Sequence, residues 1–179
     1  AEDPGSLSLE ALLKEKLFCS PLFPMRFEDI PATCHFKKVP PGIAVELGQG
    51  SALKSLPLNH PGSATGYGLI HGNKSCFYIT DHEHSKEYDA APLVAFVKGA
   101  DLMIFDTMFT PHDMRTHKGW GHSSWQCAVE VAQKANIKRL ALFHTSPDYD
   151  DQELLEIETL AHKEFEGAFL AREGHGIEL

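Results

Sequence analysis

"GWGHSSWQCAVEVAQKANIKRLALFHTSPDYDD", Gly119 to Asp151, holds most of the information about the fold. Trp125, Ala128, Val129, Ala132 and Ala135 recur at helical spacing along one face, and Ser123 or Ser124 stands where a helix cap belongs. "IKRLALFH" follows as a short buried strand. After a run of turn formers and acids, "DDQELLEIETLAHKEF" reads as a long helix, with Asp150 as N-cap and Glu153 three residues on to close a capping box. One residue sits awkwardly in this pattern. Four apolar side chains run straight into His144, where the strand should hand over to a loop.

Working outward, "DLMIFDTMF" is a second buried strand, "APLVAFVKGA" a short helix, and "GAFLAREGHGIEL" closes the chain with a strand. Before Asp81 the texture changes. "TCHFKKV", "IAVELG", "ALKSLPLNH", "TGYGLIHG" and "SCFYITD" are rich in β-branched and aromatic residues and broken by Gly-Asn and Pro-Gly pairs, so antiparallel pairing is expected, with a hairpin turn at "HGNKS". "SLSLEALLKEKLF" places Leu9, Leu12, Leu13 and Leu17 on one face of a short amphipathic helix, and the proline-rich "CSPLFPMRFEDIPA" reads as an irregular loop. A meander followed by alternating strands and helices predicts an α/β (α+β) fold, a sheet covered by helices.

The 179 residues suffice for one domain with its own core. The net charge of −9 argues against broad nonspecific binding to nucleic acid, which needs a basic surface, but leaves room for a nucleic-acid substrate held locally. No apolar run approaches membrane-spanning length, and the acidic "AEDPGSLSLE" does not read as a signal peptide. Cys19, Cys34, Cys76 and Cys127 form no CxxC pair, and the last two sit within apolar patterns, so free thiols and a reducing cytoplasm are expected.

Eleven histidines is a high count, and several cluster. Three residues share one local design. His60 follows "LPLN", Asp81 follows "FYIT" and His144 follows "LALF", each a polar side chain delivered at the C-terminal end of an apolar strand. Sheets place ligand sites at such ends. Two imidazoles and a carboxylate suit zinc, manganese or iron. A lone histidine at a strand end is more often structural, and a lone aspartate there more often caps a turn; the shared setting is what favours a common site. His122, in "GWGHSS", is placed to donate a proton, or else belongs to a glycine-rich helix entry with no chemistry. His82 and His84 read as loop histidines, and Cys127 as helix packing.

The succession "LNHPGS", "GYGLI", "FYITDHEH", "ADLMIFDTMF" and "GWGHSSWQCAVEVAQKANIKRLALFHTSP" resembles the metallo-β-lactamase superfamily, most closely its ribonuclease Z and phosphodiesterase branch. The resemblance runs from about Ser8 to the C-terminus and implies one domain over residues 1–179, the C-terminal portion of an αββα sandwich. It further implies a pair of divalent metals, expected to be zinc with manganese or iron as alternatives. His60 and His144 would match terminal metal ligands and Asp81 the carboxylate bridging both metals. His122 would match the histidine assisting the leaving oxygen, and Asp106 a residue orienting a histidine. The family's H-x-H-x-D-H signature is absent, since "DHEH" and "PHDMRTH" have the wrong spacing. Three ligands shared by two metals complete neither site.

That count allows three arrangements: the chain is one part of a longer protein, a degenerate member, or half of a site that a second chain completes. Absent first strands would leave a sheet edge or face uncovered, so an oligomer, or packing against an N-terminal half, is expected. The leading expectation is a metal-dependent hydrolase, a phosphodiesterase acting on a nucleotide, RNA or small phosphodiester, whose dinuclear site is completed by residues outside this chain. The alternatives are a noncatalytic binding or scaffold module, and a hydrolase of esters, thioesters or lactams on the same fold.

Overall fold

The computed structural model describes residues 8–21, 23–85 and 87–179. The acidic stretch 1–7, with the first residues of the expected N-terminal helix, and Leu22 of the proline-rich loop lie outside it. The chain divides into two compact units between Lys38 and Val39.

In the first unit, Ser8 caps helix α1 (Leu9–Leu12), whose coil continues as a π-helical turn over Leu13–Leu17. Leu9, Leu12 and Leu17 are exposed. "TCHFKKV", expected as a strand, has no regular structure, and its residues are exposed but for Val39. β-propensity alone does not make a strand, which also needs a partner edge to pair with.

The second unit is one seven-stranded sheet: β1 (Val45–Gly48), β2 (Ser51–Leu58), β3 (Ala64–His71), β4 (Lys74–Ile79), β5 (Leu102–Asp106), β6 (Arg139–Phe143) and β7 (Ala168–Leu170), with spatial order equal to chain order. β1 to β4 pair antiparallel, as the meander pattern predicts, and β4 to β7 pair parallel. Each parallel step is bridged by a helix: α2 (Ala91–Val97), α3 (Trp125–Ala135) and α4 (Asp151–Glu164). Ser124 accepts the Cys127 amide to cap α3, and Asn136 ends it in the left-handed conformation. Asp150 and Glu153 form the expected capping box on α4.

The core lies where these helices meet the sheet. Leu93, Val97, Trp125, Ala128, Val129 and Ala132 pack against Phe77, Ile79, Met103, Phe105, Leu140 and Leu142. Strand alternation sends the intervening residues to the opposite face. There Tyr67 pairs with Tyr78, and both are exposed, as are Leu69 and Phe143. The four cysteines are free; Cys76 and Cys127 are half-buried and Cys34 is exposed.

Topology fixes where the chemistry falls. β2 and β4 are both antiparallel to β3, so they run the same way, and β5 and β6 run parallel to β4. Four strands therefore end at one edge of the sheet, and α3 begins there.

Candidate metal and proton-transfer site

His60, Asp81, Asp106 and His144 stand at or just beyond the ends of β2, β4, β5 and β6, and His122 stands three residues before α3. The structure brings all five together. The Nε2 atoms of His60 and His144 each lie 3.9 Å from Asp81 Oδ1, so the carboxylate sits between two imidazoles. His122 stacks on His144 at 5.0 Å between ring centroids and stands edge-on to His60 at 5.7 Å. Two overlapping donor groups result, His60–Asp81–His122 and Asp106–His122–His144, each with ligand atoms within 4.8 Å of one another.

A separation of 3.9 Å is too long for a hydrogen bond. Tetrahedral ligands about 2.0–2.1 Å from zinc lie roughly 3.3 Å apart, so donors at 3.9 Å need close in by only about 0.6 Å to share an ion. The donor set and its spacing thus suit a divalent metal. One detail opposes it: the Gly62 amide donates to His60 Nδ1 at 3.0 Å, which favours the proton on Nε2. Ligation through Nε2 requires that amide to turn away. Asp81 and His144 both hold φ of +57°, a conformation costing a non-glycine residue about 1–2 kcal/mol.

Asp106 organises the floor of the site. Fully buried, it accepts His122 Nδ1 at 2.8 Å and the amides of Asp81 (2.9 Å) and His82 (3.4 Å) on Oδ2, and those of Met108 (3.2 Å) and Ser123 (3.2 Å) on Oδ1. One carboxylate therefore holds the start of three segments, and it fixes the proton of His122 on Nδ1, leaving Nε2 free.

Several residues that sequence patterns leave as ordinary loop belong here. Ser123 Oγ donates to the His82 carbonyl and accepts the His84 amide at 3.1 Å. Glu83, buried, accepts the amides of Gly119 (3.0 Å) and Gly121 (2.9 Å). No pattern in the sequence singles out Glu83, because the glycines it serves lie 36 and 38 positions away.

His82 and His84 lie on a loop as expected, but they are buried rather than solvated. His82 packs against Tyr88 and Phe105, and among the described residues neither of its ring nitrogens nor His84 Nδ1 has a hydrogen-bond partner. Burial, reinforced by the neighbouring His84, pushes the His82 pKa down to about 3, and burial also lowers that of His84. An unfolded histidine titrates near 6.5, so between pH 6.5 and 3 the unfolded chain takes up a proton that the folded one refuses. The stability His82 contributes is thus complete above pH 6.5 and declines by up to about 1.4 kcal/mol per pH unit on acidification. Thermal melts from pH 7 to 4 should show a shallower acid limb for His82→Leu than for the parent; equal slopes would refute the assignment.

Comparison with known proteins agrees with this geometry. Residues 24–145 match the family model described as "Beta-lactamase superfamily domain". The chain is 47% identical over 75 residues to a ribonuclease Z of Sulfurisphaera tokodaii, covering 42% of this chain and 24% of that protein. It is 42% identical over 85 residues to a ribonuclease Z of Sulfolobus acidocaldarius, covering 46% and 28%. The match thus spans about a quarter of the length of these curated relatives. Among solved structures it is similar to the metallo-beta-lactamase fold protein YhfI of Bacillus subtilis, with a TM-score of 0.62 at 20% identity over 76% of this chain and 52% of that one. It is similar also to the short form of human tRNase Z, with a TM-score of 0.57 at 20% identity over 75% and 46%. With a family model matching most of its length and solved structures sharing its architecture, the chain belongs to the β-lactamase superfamily and has the metallo-β-lactamase fold.

Proposed function

We propose that this chain is part of a metal-dependent hydrolase acting on phosphodiesters, with a nucleotide or RNA as substrate. The observation that carries the reading is the convergence of His60, Asp81 and His144 on one point beside the Asp106–His122 pair. His60 and His144 would each hold one ion, and the Asp81 carboxylate between them would be shared by both. Metals so bound would supply a hydroxide at neutral pH and neutralise charge on the phosphoryl oxygen.

The chain's own residues account for proton transfer to the leaving group. Asp106 holds Nδ1–H of His122, so Nε2 is the atom that carries a proton to the departing oxygen. Similarity to ribonuclease Z proteins supports RNA as the substrate class, and the net charge of −9 favours a small phosphodiester or an RNA end over a long polyanion.

Three ligands divided between two ions fall short of the three that one catalytic zinc requires. We therefore assign the remaining ligands to residues outside this chain, supplied by an N-terminal half or a second copy packed on the exposed Tyr67, Leu69, Tyr78 and Phe143 face. No helix among the described residues is long and apolar enough to cross a membrane, and four free thiols fit a reducing, cytoplasmic setting.

Zinc and manganese bound per chain after equilibrium dialysis, with sedimentation equilibrium on the same samples, tests both parts. Expected is metal at less than two ions per chain, lost in each of His60→Ala, Asp81→Ala and His144→Ala, and self-association in the parent. Metal no higher in the parent than in the variants would remove the metal centre and leave a noncatalytic scaffold. A monomer at every concentration would remove the second copy as the source of ligands.

A further inference from the structure

We infer that Glu83 is the positioning residue of this site, the side chain that fixes the loops of His60 and His122 against each other. The inference rests on the metal-centre reading above, but it concerns contacts present without metal.

Three strand-end segments must be held in register if His60, Asp81 and His122 are to face one point, and Glu83 is bonded to all three. It lies two residues after Asp81 in the same segment. Its amide donates to the Asn59 carbonyl at 2.7 Å, and its carbonyl accepts the Asn59 side-chain amide at 2.8 Å, so its backbone is tied on both sides to the residue before His60. Its carboxyl oxygens point the other way and take one amide each, Gly119 on Oε1 and Gly121 on Oε2, so its side chain grips the turn that leads into His122. The turn it grips is the one that touches His60. Gly121 lies so close that a methyl group on its Cα would stand 2.7 Å from His60 Nε2 and 2.9 Å from Pro61 Cδ.

The arrangement has a chemical logic. Gly119 and Gly121 have φ of +83° and +92°, so their amides turn inward as a pair rather than along a strand or helix, and a buried carboxylate matches such a pair with one charge-assisted bond per oxygen. No other hydrogen-bonding side chain among the described residues is recorded on either amide. Without Glu83 the amides of buried Gly121 and exposed Gly119 lose their shared acceptor, and the turn is free to move away from His60. Asp106 fixes the proton of His122; Glu83 fixes its distance from His60. Neither duty is exchangeable, because the two carboxylates bond different amides.

The test uses Glu83→Gln and Glu83→Ala in the full chain. In metal-free protein, NMR should show slow exchange at the Gly119 and Gly121 amides and an Overhauser contact between the His60 and His122 rings, whose centroids are 5.7 Å apart. Glu83→Ala should lose both, and zinc affinity should fall about 10–100-fold. Glu83→Gln keeps the volume and one acceptor but turns an NH2 toward the second amide, so one of the two glycines should stay protected and the loss of affinity should be smaller.

Unchanged amide exchange in the glutamine variant would overturn the inference. So would lost protection with the ring contact and zinc affinity intact, since Glu83 would then anchor the turn without placing the histidines. If the alanine variant does not fold, the glutamine variant decides alone. If the parent binds no zinc, the metal reading fails, while the ring contact in metal-free protein still tests Glu83.

Discussion

Replacing Asp106 by alanine is expected to lower the melting temperature by roughly 10 °C or more, corresponding to about 3–5 kcal/mol, and to abolish metal binding. The magnitude follows from the number of donors that one side chain serves. Four amides and one imidazole converge on a carboxylate with no exposure to water. Removing it leaves those groups buried without an acceptor, each costing about 1–3 kcal/mol before the loop relaxes. The loss is not confined to stability, because Asp81 and His122 are both positioned through Asp106. Asp106→Asn separates geometry from charge: it keeps one acceptor but turns an NH2 toward the donors, so it should fall between alanine and the parent. Calorimetry with a zinc titration reads both effects. A melting temperature within about 2 °C of the parent would show that the surrounding amides find other acceptors, and Asp106 would lose its assigned role.

Gly121→Ala should be the most damaging single methyl group in the site, and Gly119→Ala is its control. Both glycines hold positive φ, so alanine at either carries a backbone cost of about 1–2 kcal/mol. They differ in what the new Cβ meets. At Gly119 nothing lies within 4 Å; at Gly121 the methyl enters the His60 ring and presses on Pro61. The backbone term is common to both variants, so the difference between them isolates displacement of His60. Gly119→Ala should therefore melt a few degrees low with metal affinity near that of the parent, whereas Gly121→Ala should melt lower still and lose at least about tenfold in affinity. Equal affinities in the two variants would show that the His60 ring yields without consequence, and the close packing of the turn on His60 would have no functional weight.

Much of this protein was legible in one dimension. The capping box at Asp150 and Glu153, the apolar stripe from Trp125 to Ala135 and the hairpin at "HGNKS" are local patterns, and each appears in the structure where it was expected. They survive because the interactions concerned span only a few residues. "TCHFKKV" failed for the complementary reason. A strand is a relation between two segments, and the segment alone does not report whether a partner edge exists.

His60, Asp81, Asp106, His122 and His144 were each legible as a polar residue at the end of an apolar run or at a helix entry. Their mutual distances were not. The sequence determined by itself that three strands would end in chemistry-bearing side chains, that His122 would stand at a helix entry and that helices would alternate with the later strands. Only the tertiary structure decided that these ends share one edge, since this depends on β2 and β4 both running antiparallel to β3. It also decided that the His82 ring is buried without a hydrogen-bond partner among the described residues and that Glu83 clasps the glycine turn. Burial and long-range hydrogen bonds are set by what the fold packs together, such as Glu83 and Gly119 36 positions apart along the chain, and no local pattern encodes that neighbour.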